Sequence, residues 1–150
     1  EWKLMDMDGN ALCGNEMVSQ LNPLSAMKLE KQIPDVEYKK DNCYVSYSLS
    51  VDGAAVTDRV LMLYENKRYD FRKPDIKTQI DKDGNGIYIT LSSDCLARYV
   101  KLSANDNNTL FDDNFFDIVP GREKKVYISD NTDIDIIKNT LNVMTLYDVL

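Results

Sequence analysis

The chain has 150 residues, 43% of them hydrophobic and 29% charged, with a formal net charge of −7. That length holds one large domain or two small ones, and the apolar content is that of a globular chain. The acidic balance argues against nucleic acid, because phosphate binding needs a basic face. The absence of histidine removes Ser-His-Asp and Cys-His catalysis and every zinc site that needs an imidazole.

Taken in chain order, strand signals dominate. Trp2 and Leu4 alternate with Lys3 and Met5, and Asp8-Gly9-Asn10 turns the chain toward Ala11 and Leu12, which reads as a hairpin. Leu24, Ala26 or Met27, and Leu29 suggest a further strand after Asn22-Pro23. In the run Tyr44 to Val51, the residues Val45, Tyr47, Leu49 and Val51 share one face. Asp52-Gly53 closes that strand. Arg59 to Tyr64 runs back as a near-continuous apolar segment, as expected of a central strand. The segment Arg68 to Pro74, polar and proline-ended, marks a boundary between residues 1–71 and 72–150.

The second half has the same texture. Ile76, Thr78 and Ile80 alternate up to Asp81-Lys82-Asp83-Gly84-Asn85-Gly86, after which Ile87, Ile89 and Leu91 share a face. Leu96 with Tyr99 to Leu102, then Val126-Tyr127-Ile128, then Asn139 to Leu146 supply further strands. For the last of these the pattern leaves open whether Leu141 and Val143 or Met144 and Leu146 face inward. No segment has a convincing helical period, although Ile134 to Lys138 allows one short turn. Short strands joined by Gly, Pro, Asn and Asp turns predict an all-β chain of two immunoglobulin-like sandwiches in tandem.

The apolar run Val60 to Tyr64 falls far short of the roughly 20 residues that span a bilayer. Glu1-Trp2-Lys3-Leu4 lacks the basic-then-apolar plan of a signal peptide and reads as a mature or internal segment. The basic pairs Lys39-Lys40 and Lys124-Lys125 read as solvated edge or loop positions. Cys13, Cys43 and Cys95 form no CxxC, so they read as packed thiols, with one disulfide left open.

Candidate chemistry is sparse. Glycoside hydrolysis needs two carboxyl groups roughly 5–10 Å apart across one sugar. Glu1, Glu16, Glu30, Glu37, Glu65 and Glu123 all sit among polar or turn residues and read as surface charge. Asp112 and Asp113 are adjacent, and neighbours on a strand face opposite ways. No catalytic residue and no cofactor are assigned. Asp81, Asp83 and Asn85 have the spacing of a calcium-loop start, with Gly86 following. Yet Ser92 stands where such a loop places its bidentate Glu, and a strand follows, so a hairpin turn accounts for the same residues. Tyr47, Tyr88 and Tyr127 lie inside strands, where packing is their expected work, and direct sugar binding is not expected. Asn107-Asn108-Thr109 fits a glycosylation sequon or an Asn-rich loop tip.

The most informative string runs from Asp112 to Glu123 and holds Asn114-Phe115-Phe116-Asp117-Ile118-Val119-Pro120-Gly121. Pro120 presets one corner of a turn and Gly121 can take the positive φ of the next. At least one of Phe115 and Phe116 should anchor the bend on a sheet, since burying one is worth roughly 1.5–3 kcal/mol. The string closely resembles the last immunoglobulin-like domain of β-mannosidases of glycoside hydrolase family 2. Ile87 to Val100 is similar to strands of the same domain, and Trp2 to Asn10 resembles a hairpin of the domain before it. The resemblance implies C-terminal accessory domains, the first lacking an opening strand, that support a TIM barrel in the same polypeptide. The parent would hydrolyse terminal β-D-mannose with retention, using two barrel glutamates that match no position here. It also implies a periplasmic or secreted location. The rival readings are a carbohydrate- or protein-binding sandwich module of a surface protein, and a calcium-stiffened spacer.

Overall fold

The computed structural model describes residues 1–28, 38–104, 109–129 and 133–150. It divides into two compact units, Glu1–Asp70 and Phe71–Leu150. Among the described residues no helix is long and apolar enough to cross a membrane.

In the first unit β1 (Trp2–Asp6), β2 (Ala11–Asn15), β3 (Cys43–Val51) and β4 (Ala54–Met62) form one antiparallel sheet in the order β2-β1-β3-β4. The β1–β2 turn is built by a carboxylate: Asp6 Oδ1 accepts the N–H groups of Asp8 and Asn10 at 3.0 and 2.8 Å, and Gly9 takes a φ of 90°. Asp52 and Gly53, at φ 50° and 80°, give the β3–β4 hairpin its two left-handed corners. The small core gathers Leu4, Cys43 and Val45, with Trp2, Cys13, Tyr38 and Leu63 around it. Tyr69, buried, ties the end of the unit to this sheet. Its hydroxyl accepts from the N–H groups of Leu63 and Tyr64 and donates to the Cys43 carbonyl.

Two expectations fail in this unit. The segment Arg59 to Tyr64 contributes to β4, which is an edge strand and not a central one. Leu61 is half exposed, as are Leu49 and Val51 on the facing strand, so the face that Val45, Tyr47, Leu49 and Val51 share is covered only around Val45. The strand expected near Leu24 is absent. Ser25 N–H instead bonds the Asn22 carbonyl in a turn, and Leu24 lies fully exposed at φ 58°. A proline at the first corner outweighs the weak alternation that followed it. Leu29 lies outside the described residues.

The second unit is a two-sheet sandwich. β5 (Ile76–Asp83), β6 (Gly86–Ser93) and β9 (Lys124–Ser129) form one sheet in the order β5-β6-β9. β7 (Ala97–Ser103), β8 (Phe116–Ile118) and β10 (Asn142–Met144) form the other, in the order β10-β7-β8. The core interleaves Ile87, Ile89, Leu91, Val126 and Ile128 from the first sheet with Ala97, Val100, Leu102, Phe116 and Ile118 from the second. Period-2 alternation predicted the faces of Ile87, Ile89 and Leu91 and of Val126 and Ile128, but not those of the second sheet, and burial of such a set is the dominant favourable term for a sandwich.

Ile134–Thr140 forms α1, a longer helical element than the single turn expected. Asp133 caps it by accepting the Asp135 N–H at 2.9 Å, and Ile137 is wholly buried in the sandwich core. Seven residues offer too few repeats for a period to show in sequence, and tertiary burial supplies the rest. The expected strand Asn139 to Leu146 shrinks accordingly to β10, between α1 and a 3-10 turn at Leu146–Val149. Leu141 and Val143 are the pair that packs on the core.

Candidate functional site

The segment from Phe111 to Asp117 is a strap laced to both sheets of the sandwich by side chains that imitate strand pairing. Phe111 bridges to Ile128 of β9. Asp112 brackets the next residue: its N–H donates to the Tyr127 carbonyl at 3.0 Å, and its Oδ1 accepts the Tyr127 N–H at 2.8 Å. Asp113 pairs with the Lys124 ammonium, which also lies 5.0 Å from the centre of the Phe116 ring. Asn114 does on the opposite sheet what Asp112 does on the first. Its Oδ1 accepts the Leu102 N–H at 2.8 Å and its Nδ2 donates to the Leu102 carbonyl at 2.9 Å.

Phe116 then enters the core opposite Val100, whereas Phe115 stays 62% exposed at a φ of 60°. Asp117 closes the strap. Ala97 pairs with Ile118 and Val100 with Phe116, so Arg98 and Tyr99 together oppose Asp117 in a β-bulge. Asp117 serves both members of the bulge, accepting from Arg98 Nη1 and from the Tyr99 N–H, each at 3.0 Å. Pro120 and Gly121 make the expected turn: Arg122 N–H bonds the Val119 carbonyl at 3.1 Å, and Gly121 has a φ of 76°.

The structure therefore brings Asn114, Phe116, Asp117, Pro120 and Gly121 into one structural device. Sequence reasoning missed the bracketing roles of Asp112, Asn114 and Asp117, and the bulge that Asp117 holds. Spaced Asx residues around an aromatic pair were the available signal, since such side chains readily bond nearby backbone groups.

The remaining candidates are dispersed. Asp83 Oδ1 accepts the Asn85 N–H at 2.8 Å, and Asp83 pairs with Gly86 across the β5–β6 turn. Asp81 lies on β5 and accepts from Gln79. Asp81, Asp83 and Asn85 are thus hairpin residues, and among the described residues no group of three or more His, Cys, Asp or Glu side chains could hold a metal ion. Gly86 is demanded by packing, because a Cβ there would lie 2.5 Å from the Ile128 carbonyl oxygen. Tyr88 and Tyr127 pack ring to ring at 5.3 Å on the outer face, with the Tyr127 hydroxyl donating to the Asn85 carbonyl and Lys125 lying over Tyr88.

Glu1, Glu16, Glu65 and Glu123 are all exposed, and Glu30 and Glu37 lie outside the described residues. Cys13, Cys43 and Cys95 are free thiols. Burial pushes the Cys43 and Cys95 thiols above the ordinary range, as suits packed rather than reactive groups. Asn107 and Asn108 of the sequon lie outside the described residues. An open cleft of about 300 Å³ is lined by Lys73, Pro74, Ile76, Val143, Thr145 and Asp148, but the Asp148 carboxylate is engaged by the Thr145 N–H and hydroxyl.

Residues 71–149 match the family model for the mannosidase Ig-fold domain. The chain belongs to that family. Among solved structures it is similar to the β-D-mannosidase of Dictyoglomus thermophilum, with a TM-score of 0.85 and 14% identity over 97% of this chain. At that identity the likeness concerns the fold. The chain spans 18% of the length of that mannosidase. No curated protein matches the chain. The mannosidase Ig-fold assignment agrees with the resemblance carried by Asn114 to Gly121, and the strap built from those residues lies wholly within the matched range.

Proposed function

We propose that this chain is a non-catalytic accessory part of a retaining β-mannosidase of glycoside hydrolase family 2. In this reading it lies on the C-terminal side of a TIM barrel, which cleaves terminal β-D-mannose, and it gives that barrel structural support. The observation that carries the reading is the family match over residues 71–149, on a sandwich in which the Asp112, Asn114 and Asp117 side chains hold its own strands. The parent would act in the periplasm or outside the cell.

The test is an activity assay with the chain and with the longer polypeptide that contains it. The chain should give no turnover of an aryl β-mannoside, and the longer polypeptide should hydrolyse that substrate with retention. Turnover that follows the isolated chain through successive columns refutes the accessory role. A parent made of tandem sandwiches without a barrel refutes the enzyme assignment.

A further inference from the structure

The stretch Arg72 to Asp75, at the start of the second unit, is neither helix nor strand, and one side chain holds it down. The β5–β6 register begins at Ile76 opposite Ser93. One step further out, the Asp94 carboxylate takes over from backbone pairing. Its Oδ1 accepts the Asp75 N–H at 2.8 Å, and its Oδ2 pairs with an Arg72 guanidinium nitrogen at 3.0 Å. The same nitrogen donates to the Asp94 carbonyl at 3.2 Å, and the Cys95 thiol donates to the Arg72 carbonyl at 3.8 Å.

Apolar packing on this stretch is thin. Arg72, Lys73 and Asp75 are exposed, and Lys73 and Pro74 border the open cleft. The Arg72 and Asp94 side chains are 51% and 48% exposed, and an ion pair so open to water is weak. On either side the chain is better held: Phe71 is buried and Ile76 packs against the sandwich core. Few buried contacts and exposed hydrogen bonds are the marks of a stretch that opens locally while the rest stays folded.

The bond that such an opening uncovers is Arg72–Lys73. A protease that cuts after arginine must draw the guanidinium into its own specificity pocket, and it nicks most readily where the backbone is free to be drawn out. With Asp94 in place the guanidinium is engaged and the backbone just beyond the bond is tied at Asp75. We infer that Asp94 is a latch on residues 72–75, and that its opening, with the sandwich still folded, delivers the Arg72–Lys73 bond to an arginine-specific endoprotease. Hydrolysis consumes one water and leaves a carboxylate on Arg72 and an amino group on Lys73. The cut falls beside the boundary between Glu1–Asp70 and Phe71–Leu150, so it severs the connection between the two units. Nothing in the latch depends on the β-mannosidase reading.

The test is digestion of the chain by an arginine-specific endoprotease at neutral pH, with mass spectrometry timing the fragment that begins at Lys73. Asp94→Ala and Asp94→Asn are digested beside the wild type, and cutting after Arg68, in the Asn66–Arg68 turn of the first unit, serves as the control. Amide exchange at Asp75, read against Ile89 and Val126 of the sandwich core, reports whether the opening is local. Cutting after Arg72 should be at least about tenfold faster in Asp94→Ala, because hydrogen bonds to a charged group are the stronger kind. Asp75 should lose protection by a similar factor while Ile89 and Val126 keep theirs. Asp94→Asn keeps an acceptor for the Asp75 N–H but loses the charge that holds Arg72, so its rate should fall between the other two. Equal rates of cutting after Arg72 in all three proteins overturn the latch. So does a faster cut accompanied by the same loss of protection at Ile89 and Val126, which would mean that the whole sandwich opens. If Asp94→Ala does not fold, Asp94→Asn decides, and a wild-type rate of cutting after Arg72 in that variant overturns the latch.

Discussion

Asn114 pairs with Leu102 through its side chain alone, satisfying both the N–H and the carbonyl of that residue at 2.8 and 2.9 Å. The amide does the work of one residue of a further strand beside β7, and so holds the strap to its sheet. Asn114→Ala should leave two backbone groups of Leu102 unsatisfied at a part-buried position and cost roughly 1–3 kcal/mol for each group that water cannot reach. Asn114→Asp keeps the acceptor and loses the donor, so it should fall between the wild type and the alanine variant. Urea melts of the three proteins check the order, and an alanine variant as stable as the wild type would dismiss the bracket.

Phe116 and Phe115 should separate cleanly. Phe116 fills the core opposite Val100, so Phe116→Ala should cost about 3–5 kcal/mol through lost transfer energy and a residual cavity. Phe115→Ala removes a ring that is mostly in water and should change stability by about 0.5 kcal/mol or less. Equal denaturation midpoints for the two variants would contradict the assigned burial.

The sandwich of the second unit was legible because its strands alternate without interruption: Ile87, Ile89 and Leu91, or Val126 and Ile128, leave little choice of face. The anchor at Phe116 was legible as one of two, but not which of the two. That choice depends on a positive φ at Phe115, which propensity does not announce for phenylalanine. The bulge at Arg98 and Tyr99 was hidden for a related reason, since it is fixed by a carboxylate 18 residues away from Tyr99. In the first unit the apolar run to Tyr64 suggested a central strand, but among the described residues β4 lies at the edge with Leu61 half exposed, so apolarity there gave neither burial nor position within the sheet.

Acid should loosen both units through particular carboxylates. The Asp75 N–H holds the Asp94 carboxyl below the ordinary carboxylate range; burial opposes it, and the nearby Arg72 guanidinium adds to the lowering. For Asp6, burial alone would raise the value, but the Asn10 side chain and the N–H groups of Asn10, Asp8 and Gly9 together bring it below the ordinary range. Both groups bind protons less readily folded than unfolded. Their contribution is therefore complete above the ordinary carboxylate pKa of about 4 and is lost as pH falls through the folded values. Asp94→Asn should flatten the pH dependence of melting for the second unit, and Asp6→Asn that for the first. Added salt should weaken the Arg72–Asp94 part, because that pair is half exposed. An undiminished acid dependence in both variants would show that other carboxylates govern it.

The pairing of Arg98 with Asp117 sets up the sharpest contrast. Their side chains are 7% and 17% exposed, and Asp117 also fixes the bulge through the Tyr99 N–H. Asp117→Ala would strand the guanidinium charge in the protein, and breaking one side of a buried pair typically costs 3–5 kcal/mol. Arg98→Met strands the Asp117 carboxylate in turn, but that group is the more exposed of the two and keeps the Tyr99 N–H, so it should cost less, and the double variant Arg98→Met/Asp117→Ala, which leaves neither charge, should recover part of the single Asp117→Ala loss. The bulge responds separately. With Asp117 gone, the Tyr99 N–H loses its acceptor and the ring loses its fixed presentation, whereas Arg98→Met leaves that hydrogen bond in place. Thermal melts of the three variants measure the charge effect, and amide exchange at Tyr99 measures the bulge. Additive losses in the double variant would mean that the pair contributes no coupling, and a Tyr99 amide equally protected with and without Asp117 would mean that the carboxylate does not hold the bulge.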